Sequence, residues 1–461
     1  MDWGICPALG TSGVLLPEVH LWLRIRPMRR YRSGHGGTIA LAGITTILVT
    51  GACATEQRIA GIVPIDWPSE VGLMPVEVPL PRMPTAAAPD SRSLNRILVR
   101  MRVGSGPATT QVADIGRASL LCGGRGAVLR TQVNLADSDR GKPVEFFVPD
   151  RPGNKAAVTY TSSYREPFLE IRPAEGPPVL RYWHGAADSK NARKYPLNGF
   201  IHPLAGLDGE TLTAASPGDH VHHRGVFWAW VRTERQGRWQ NEWWIPREFV
   251  AEPGILAHDP EGTDSCGFTA EHFWTYRPAD PTKSERFVRE SVDCRVYDNS
   301  LYGRAVDVDL TLTALEDGIR IGGQTDLDKG YGGMTCRFGA AVNVLMENDQ
   351  GVIRSSSLNH VVAKWVDWTG EFLGPDGNRL PHRSGAALMV HPSHPAYPPE
   401  WIVRAYGPIG LAYPGLQMIE LPKGAPLHLR YRFWVHRGDA TSGKVPEAYR
   451  AYVADWNWRA G

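Results

Sequence analysis

With 461 residues, 42% of them hydrophobic and 21% charged, the chain can bury a substantial core as one large domain or two smaller ones. Its formal net charge of +2, with no long basic run, argues against a nucleic-acid partner. Tryptophan is the unusual component at 16 residues, six of them between Trp183 and Trp244. Large amphipathic rings suit a cleft that stacks against the apolar face of a sugar, although most tryptophans serve the core.

Residues 1–53 read as a targeting leader. Arg24, Arg26, Arg29, Arg30 and Arg32 precede an apolar run from Thr38 to Val49, and small residues lead to Cys53. The run is short for a membrane span. Met28 is the more typical start. The pattern predicts export to the periplasm or cell surface, with a lipid anchor at Cys53 as the finer expectation. Cys122, Cys266, Cys294 and Cys336 are widely spaced without a Cys-x-x-Cys pair, which leaves one or two disulfides open and gives no zinc signature.

Residues 54–92 are proline-rich and read as a linker. A β region is predicted over 93–181, beginning with the alternation of Ile97, Val99, Met101 and Val103, and followed by short runs near 144–148, 157–161, 168–172 and 179–183. From 182 to 458 the patterns are cleaner. Val306, Val308, Leu310 and Leu312 alternate with Asp307, Asp309, Thr311 and Thr313, predicting a strand with a polar solvent face. Leu427, Leu429, Tyr431, Phe433 and Val435 alternate in the same way with His428, Arg430, Arg432, Trp434 and His436. Only the tail is helical in pattern, with Pro446 in the first turn and Val445, Tyr449, Tyr452, Val453 and Trp456 on one face. The fold class is therefore all-β, a large antiparallel β-sandwich with a short C-terminal helix.

The densest chemistry lies in Asp219-His220-Val221-His222-His223-Arg224-Gly225, after the Pro217-Gly218 turn signal and before Val226–Trp230. In an extended segment His220 and His222 share a face and His223 takes the other. That spacing fits two ligands of a divalent metal, or an acid and a base reaching one substrate, with Asp219 and His223 orienting them. A turn whose histidines cap backbone groups explains the same residues equally well. Three later segments can join the cluster: Asp328-Lys329-Gly330 with Arg337, Trp365-Val366-Asp367, and His394-Pro395 before Arg404-Ala405-Tyr406-Gly407.

Together with Tyr195-Pro196-Leu197-Asn198-Gly199 and Leu429-Arg430-Tyr431-Arg432, these motifs resemble a bacterial family labelled "methane oxygenase PmoA-like", over about Tyr182 to Tyr452. The resemblance implies a β-sandwich of exported proteins with the polar motifs converging on one site. Gly330 departs from it, because an acidic residue usually follows that lysine. A membrane oxygenase subunit would need apolar runs of about 20 residues, absent after the leader. The chemistry suits carbohydrate better: a hydrolase or lyase acting on a glycoside or oxidised sugar. In that reading His220, His222, Lys329, Asp367 and Arg404 are catalytic, and Arg224, Trp228, Arg337, Trp365, His394 and Tyr406 bind substrate. The alternatives are a non-catalytic carbohydrate-binding lipoprotein and a copper-dependent oxidase. The expected partner is a small-molecule or oligosaccharide substrate.

Overall fold

A computed structural model describes residues 56–80, 95–117, 127–149, 159–187, 197–239, 249–262, 264–276 and 285–455, with 457 and 459–460. The stretch expected to be a leader, with Cys53 as the expected lipid-anchor site, lies outside these residues, as do Cys122, Tyr195, Pro196 and Trp456. The described strands form four sheets of seven, ten, four and nine strands, and every strand pair within them is antiparallel. The protein is an all-β sandwich with one described α-helix, Val445–Tyr452, which carries Pro446 in its first turn as its sequence predicts.

The alternation of the long strands decides how the layers stack. In Gly303–Ala314, Val306, Val308, Leu310 and Leu312 point into a core shared by the nine- and ten-stranded sheets. Leu429, Tyr431, Phe433 and Val435 of the paired strand Pro426–Arg437 do the same. Each aliphatic side chain so buried contributes roughly 1.5–3 kcal/mol. Inside this core Trp230 packs at 45° against Trp274, and Phe338 stacks on Trp368 with ring centroids 4.7 Å apart.

The opposite, polar face of those strands is covered rather than solvated, which corrects the expected solvent exposure. Asp307, Thr311 and Thr313 are buried, as is Arg432. The cover is the seven-stranded sheet, which includes Glu56–Ile62 and Met74–Leu80, both within the stretch predicted as a linker. The prolines there did not prevent pairing, because Pro75 and Pro79 fall in a strand bonded on one side only, to Ala127–Val133, at the edge of its sheet. Charge complementarity closes the layer. Glu77 accepts from Arg130 at 3.0 Å and Arg430 at 2.7 Å, and Arg432 grips Asp307 through two hydrogen bonds of 2.6 and 2.9 Å. Around this network lies a second core, in which Ile59, Trp67, Val78 and Phe146 meet Trp365, Met389, Trp434 and the helix.

The sequence-based boundary at 181 also moves. Tyr160–Arg165 and Phe168–Pro173 pair onward to Leu180–Trp183, inside the ten-stranded sheet. Cys266, Cys294 and Cys336 are buried thiols outside any disulfide, so the described cysteines form none.

Candidate functional site

The site sits on the outer face of the ten-stranded sheet. Along Gly332–Arg337, Met334 and Cys336 enter the core, so Thr335 and Arg337 face outward. Along Glu400–Arg404, Trp401 and Val403 enter the core, and Ile402 and Arg404 face outward. Above this floor two loops rise, one carrying the histidines and one carrying Lys329. Between them is a cleft of about 190 Å³ lined by His220, His222, His223, Lys329, Tyr331, Thr335, Ile402, Arg404, Tyr406, Pro408 and Gly410.

The histidine segment is not extended. Two successive turns, closed by His220 N–H to the Pro217 carbonyl at 3.1 Å and His223 N–H to the His220 carbonyl at 2.9 Å, replace the predicted strand. The consequence reverses the expected arrangement of faces. His223 stacks on His220 at 4.7 Å and 12°, His220 continues the stack onto Tyr406 at 5.6 Å and 13°, and His222 stands edge-on to both histidines. All three imidazoles therefore converge. Gly225 ends the segment with φ +70°, where a Cβ would lie 2.2 Å from the Ile201 carbonyl oxygen, so only glycine lets the chain enter Val226–Trp230 here.

Asp219 and Arg337 support the stack from beneath. Asp219 accepts from His220 Nδ1 at 3.0 Å and from an Arg337 guanidinium nitrogen at 3.0 and 2.9 Å. Burial opposes ionisation, but the His220 and Arg337 bonds outweigh it and hold the Asp219 carboxyl down at about 2. The Arg337 guanidinium lies 4.9 Å over the Tyr406 ring, which ties the two ends of the stack together. Burial, with the neighbouring His220 and Arg224, lowers His222 to about 4. Burial and the other two imidazoles lower His223 to about 2. Both rings are thus neutral near pH 7. Lys329 and Arg404 supply the positive charge, and no carboxylate appears among the described lining residues.

Of the predicted site residues, His220, His222, His223, Lys329, Arg404 and Tyr406 meet in the cleft, with Asp219 and Arg337 directly behind. The others do not join them. Asp367 and Trp365 share the face of Trp365–Glu371 that turns toward the seven-stranded sheet, away from the cleft. There Asp367 is fully buried and accepts from His436 Nε2 at 3.0 Å. Trp228 is a core residue whose indole, like that of Trp274, hydrogen-bonds Glu290. Arg224 is buried with its guanidinium 5.2 Å over the Phe227 ring, and Glu290 is the carboxylate whose field it feels. His394 is 3% exposed and packs edge-on to Tyr413 at 4.6 Å. No group of three or more His, Cys, Asp or Glu among the described residues is arranged to hold a metal ion, so His220 and His222 lack a third ligand of those types.

Tyr331 follows the Asp328-Lys329-Gly330 motif without having been singled out, and Thr335, Ile402, Pro408 and Gly410 escaped the sequence reading. Period-2 spacing carried the signal for Thr335 and Ile402, since Thr335 lies two residues before Arg337 and Ile402 two before Arg404. Gly330 has φ +65°, a left-handed turn that glycine adopts without strain.

No functionally curated protein is similar to this chain in sequence. Among solved structures, one likeness is to a protein in glycosyl hydrolase family 38 from Enterococcus faecalis, at 9% identity and a TM-score of 0.40. It covers 88% of this chain, which spans only 47% of that protein's length. A model titled "Family of unknown function (DUF6807)" matches residues 173–450, more than half of the 461-residue chain, and the protein belongs to that family.

Proposed function

We propose that the protein is a carbohydrate-active enzyme that acts on an oxidised sugar, a uronate, by acid–base elimination: a lyase rather than a hydrolase. The supporting observation is the convergence of Lys329 and Arg404 with His220 and His222 in a cleft whose described lining has no carboxylate. Most glycoside hydrolases place two carboxyl groups about the scissile bond. Asp219, behind the cleft, is engaged by His220 and Arg337. A uronate instead offers its own carboxylate, which two cations can neutralise, and neutralisation acidifies the adjoining carbon-bound hydrogen.

In this reading Lys329 and Arg404 hold the substrate carboxylate and His222 takes the α-proton. The electron pair forms the new double bond as the bond to the β-oxygen breaks. His220, its Nδ1 hydrogen held by Asp219, gives the hydrogen on its Nε2 to that leaving oxygen, and exchange with solvent then takes the α-proton from His222 and restores the one lost from His220. A bound anion also raises the low pKa of His222, strengthening it as a base only when substrate is present. The Tyr406–His220 stack offers a flat platform for the ring, as a purely binding protein also would. Export through the leader would bring this cleft to polysaccharide in the periplasm or at the cell surface.

The test is incubation with uronate-containing oligosaccharides, followed by ultraviolet absorbance of the unsaturated uronate product. Elimination creates that chromophore and hydrolysis gives reducing ends without it. Calorimetric binding with neither product would replace the enzyme with a carbohydrate-binding protein.

A further inference from the structure

One strand sets the position of both cations in the cleft. Ser357–Val362 pairs with Glu400–Arg404 at the edge of the ten-stranded sheet. Arg404 donates to the Leu358 carbonyl at 2.5 Å and to Asn359 Oδ1 at 2.6 Å. The next residue, His360, sits where the register shifts between Leu358 and Val361, with φ +56°. A bulge at a left-handed non-glycine residue re-aims the side chain that a regular strand would place elsewhere. Here the ring is turned between Glu400 and the Lys329 loop.

That loop is strained and weakly tethered. Leu327 and Asp328 are both left-handed, at φ +55° and +54°, and Leu327 is 79% exposed. Its internal bonds are local: Gln324 Oε1 accepts from Thr325 N–H and Asp326 N–H, and Gly330 N–H donates to the Gln324 carbonyl. Among the described residues, His360 is the one side chain from outside the loop that hydrogen-bonds Thr325–Lys329. Its Nε2 lies 2.5 Å from the Asp328 carbonyl oxygen, and its Nδ1 lies 2.6 Å from Glu400 Oε2. A carbonyl and a carboxylate can only accept, so both ring nitrogens must carry hydrogen.

We propose that His360, as an imidazolium bridging Glu400 and the Asp328 carbonyl, is a pH-sensitive latch that holds Lys329 in the cleft. The charged groups facing the ring are Glu400 from its neighbouring strand and Asp328, whose Oδ2 is 3.7 Å away, from the loop. Both favour the protonated ring. The Glu400 and Asp328 hydrogen bonds raise its pKa against a small opposing effect of burial. A histidine raised in this way keeps the latch closed below its ordinary pKa and opens it as the pH climbs through the raised value. Above that, one nitrogen faces an acceptor without a hydrogen, and the loop loses its outside tether. His360 is a positioning residue: it touches no substrate, and it acts through Lys329. The latch itself stands on the contacts above; its effect on uronate binding rests on the proposed function.

The test is hydrogen exchange of the full chain at about pH 5 and about pH 9, either side of the ordinary histidine range, corrected for intrinsic rates. Amides of 325–330 in the wild type should exchange about tenfold or more faster at the higher pH, the loss expected for a charge-assisted bond. In His360→Gln, which cannot titrate, the two rates should agree, while peptides from 332–337 stay protected in both proteins. Wild-type protection independent of pH, or the same pH response in His360→Gln, overturns the latch. Glucuronate serves as the ligand probe in parallel. Affinity that weakens at high pH in wild type but not in His360→Gln supports the latch acting through Lys329. The exchange response without glucuronate binding at either pH upholds the latch and removes only the uronate reading.

Discussion

Replacing Asp367 by alanine separates stability from chemistry most sharply. Asp367 and His436 are both fully buried, and His436 Nδ1 also faces the Arg437 carbonyl at 3.1 Å. Both nitrogens again meet acceptors, so the pair is an imidazolium and a carboxylate. Although burial works against the charged ring, Asp367 raises the His436 pKa. Breaking a buried pair costs about 3–5 kcal/mol. The lower end applies here, because Asp367 Oδ2 has no hydrogen-bond partner and the orphaned imidazole can shed its proton. With an unfolding entropy of about 1 kcal/mol per kelvin for a chain of this length, about 3 kcal/mol lowers Tm by about 3 °C. The pair's contribution should be full below the ordinary histidine pKa and fade as pH rises through the raised value of His436. Thermal denaturation of both proteins, with turnover normalised to folded protein, is the assay. An unchanged Tm with lost turnover would place Asp367 in the chemistry and refute the structural assignment.

The remaining expectations concern the cleft, acid and export. His222→Ala should lower turnover on uronate-containing oligosaccharides by roughly 10²-fold or more with little change in Tm; a parallel fall in Tm and activity would make the ring structural. Metal analysis of wild type and the His220→Ala/His222→Ala double variant decides the ligand question: a stoichiometric metal lost in the variant supports ligation, and a metal-free, active wild type leaves acid–base catalysis. Burial chiefly depresses His223, His272 and His394 to about 2, 3 and 4. The unfolded chain binds these three protons below about pH 6.5 and the folded chain does not, so the three rings together should contribute a loss of about 4 kcal/mol per pH unit on acidification between about pH 6 and 4. Urea titrations across that window check the slope, and a flat profile would mean that the rings protonate in place. Mass spectrometry from the native host should find no peptide upstream of about Cys53, and abundant peptides from 28–50 would overturn the leader reading.

The class of fold was legible because period 2 is hard to mistake in 306–312 and 427–435. The destination of the polar faces was not. Asp307 and Arg432 look solvated one strand at a time, and only the pairing of Gly303–Ala314 with Pro426–Arg437 brings them opposite each other. Glu77, 353 residues from Arg430, then completes the cover. The histidine motif revealed its residues but not its shape, since turns at 217–223 depend on backbone hydrogen bonds that the His-x-His spacing does not encode. Asp367 misled for a related reason. A carboxylate between two tryptophans reads as a site, whereas its strand places it facing His436.

The pairing of Glu56–Ile62 with Arg459–Ala460 has a practical consequence for dissecting this protein. Both ends of the described chain are woven into the same sheet, so the stretch recognised as the family, 173–450, is not a portable module. Cut out alone, it would present Trp365, Met389 and Trp434, interspersed with Asp307, Arg430 and Arg432, as a naked surface. Such a fragment should be sticky and poorly soluble whatever its catalytic competence. Recombinant boundaries that respect the weave, from about residue 56 through 460, are the ones that carry the cleft in a folded frame.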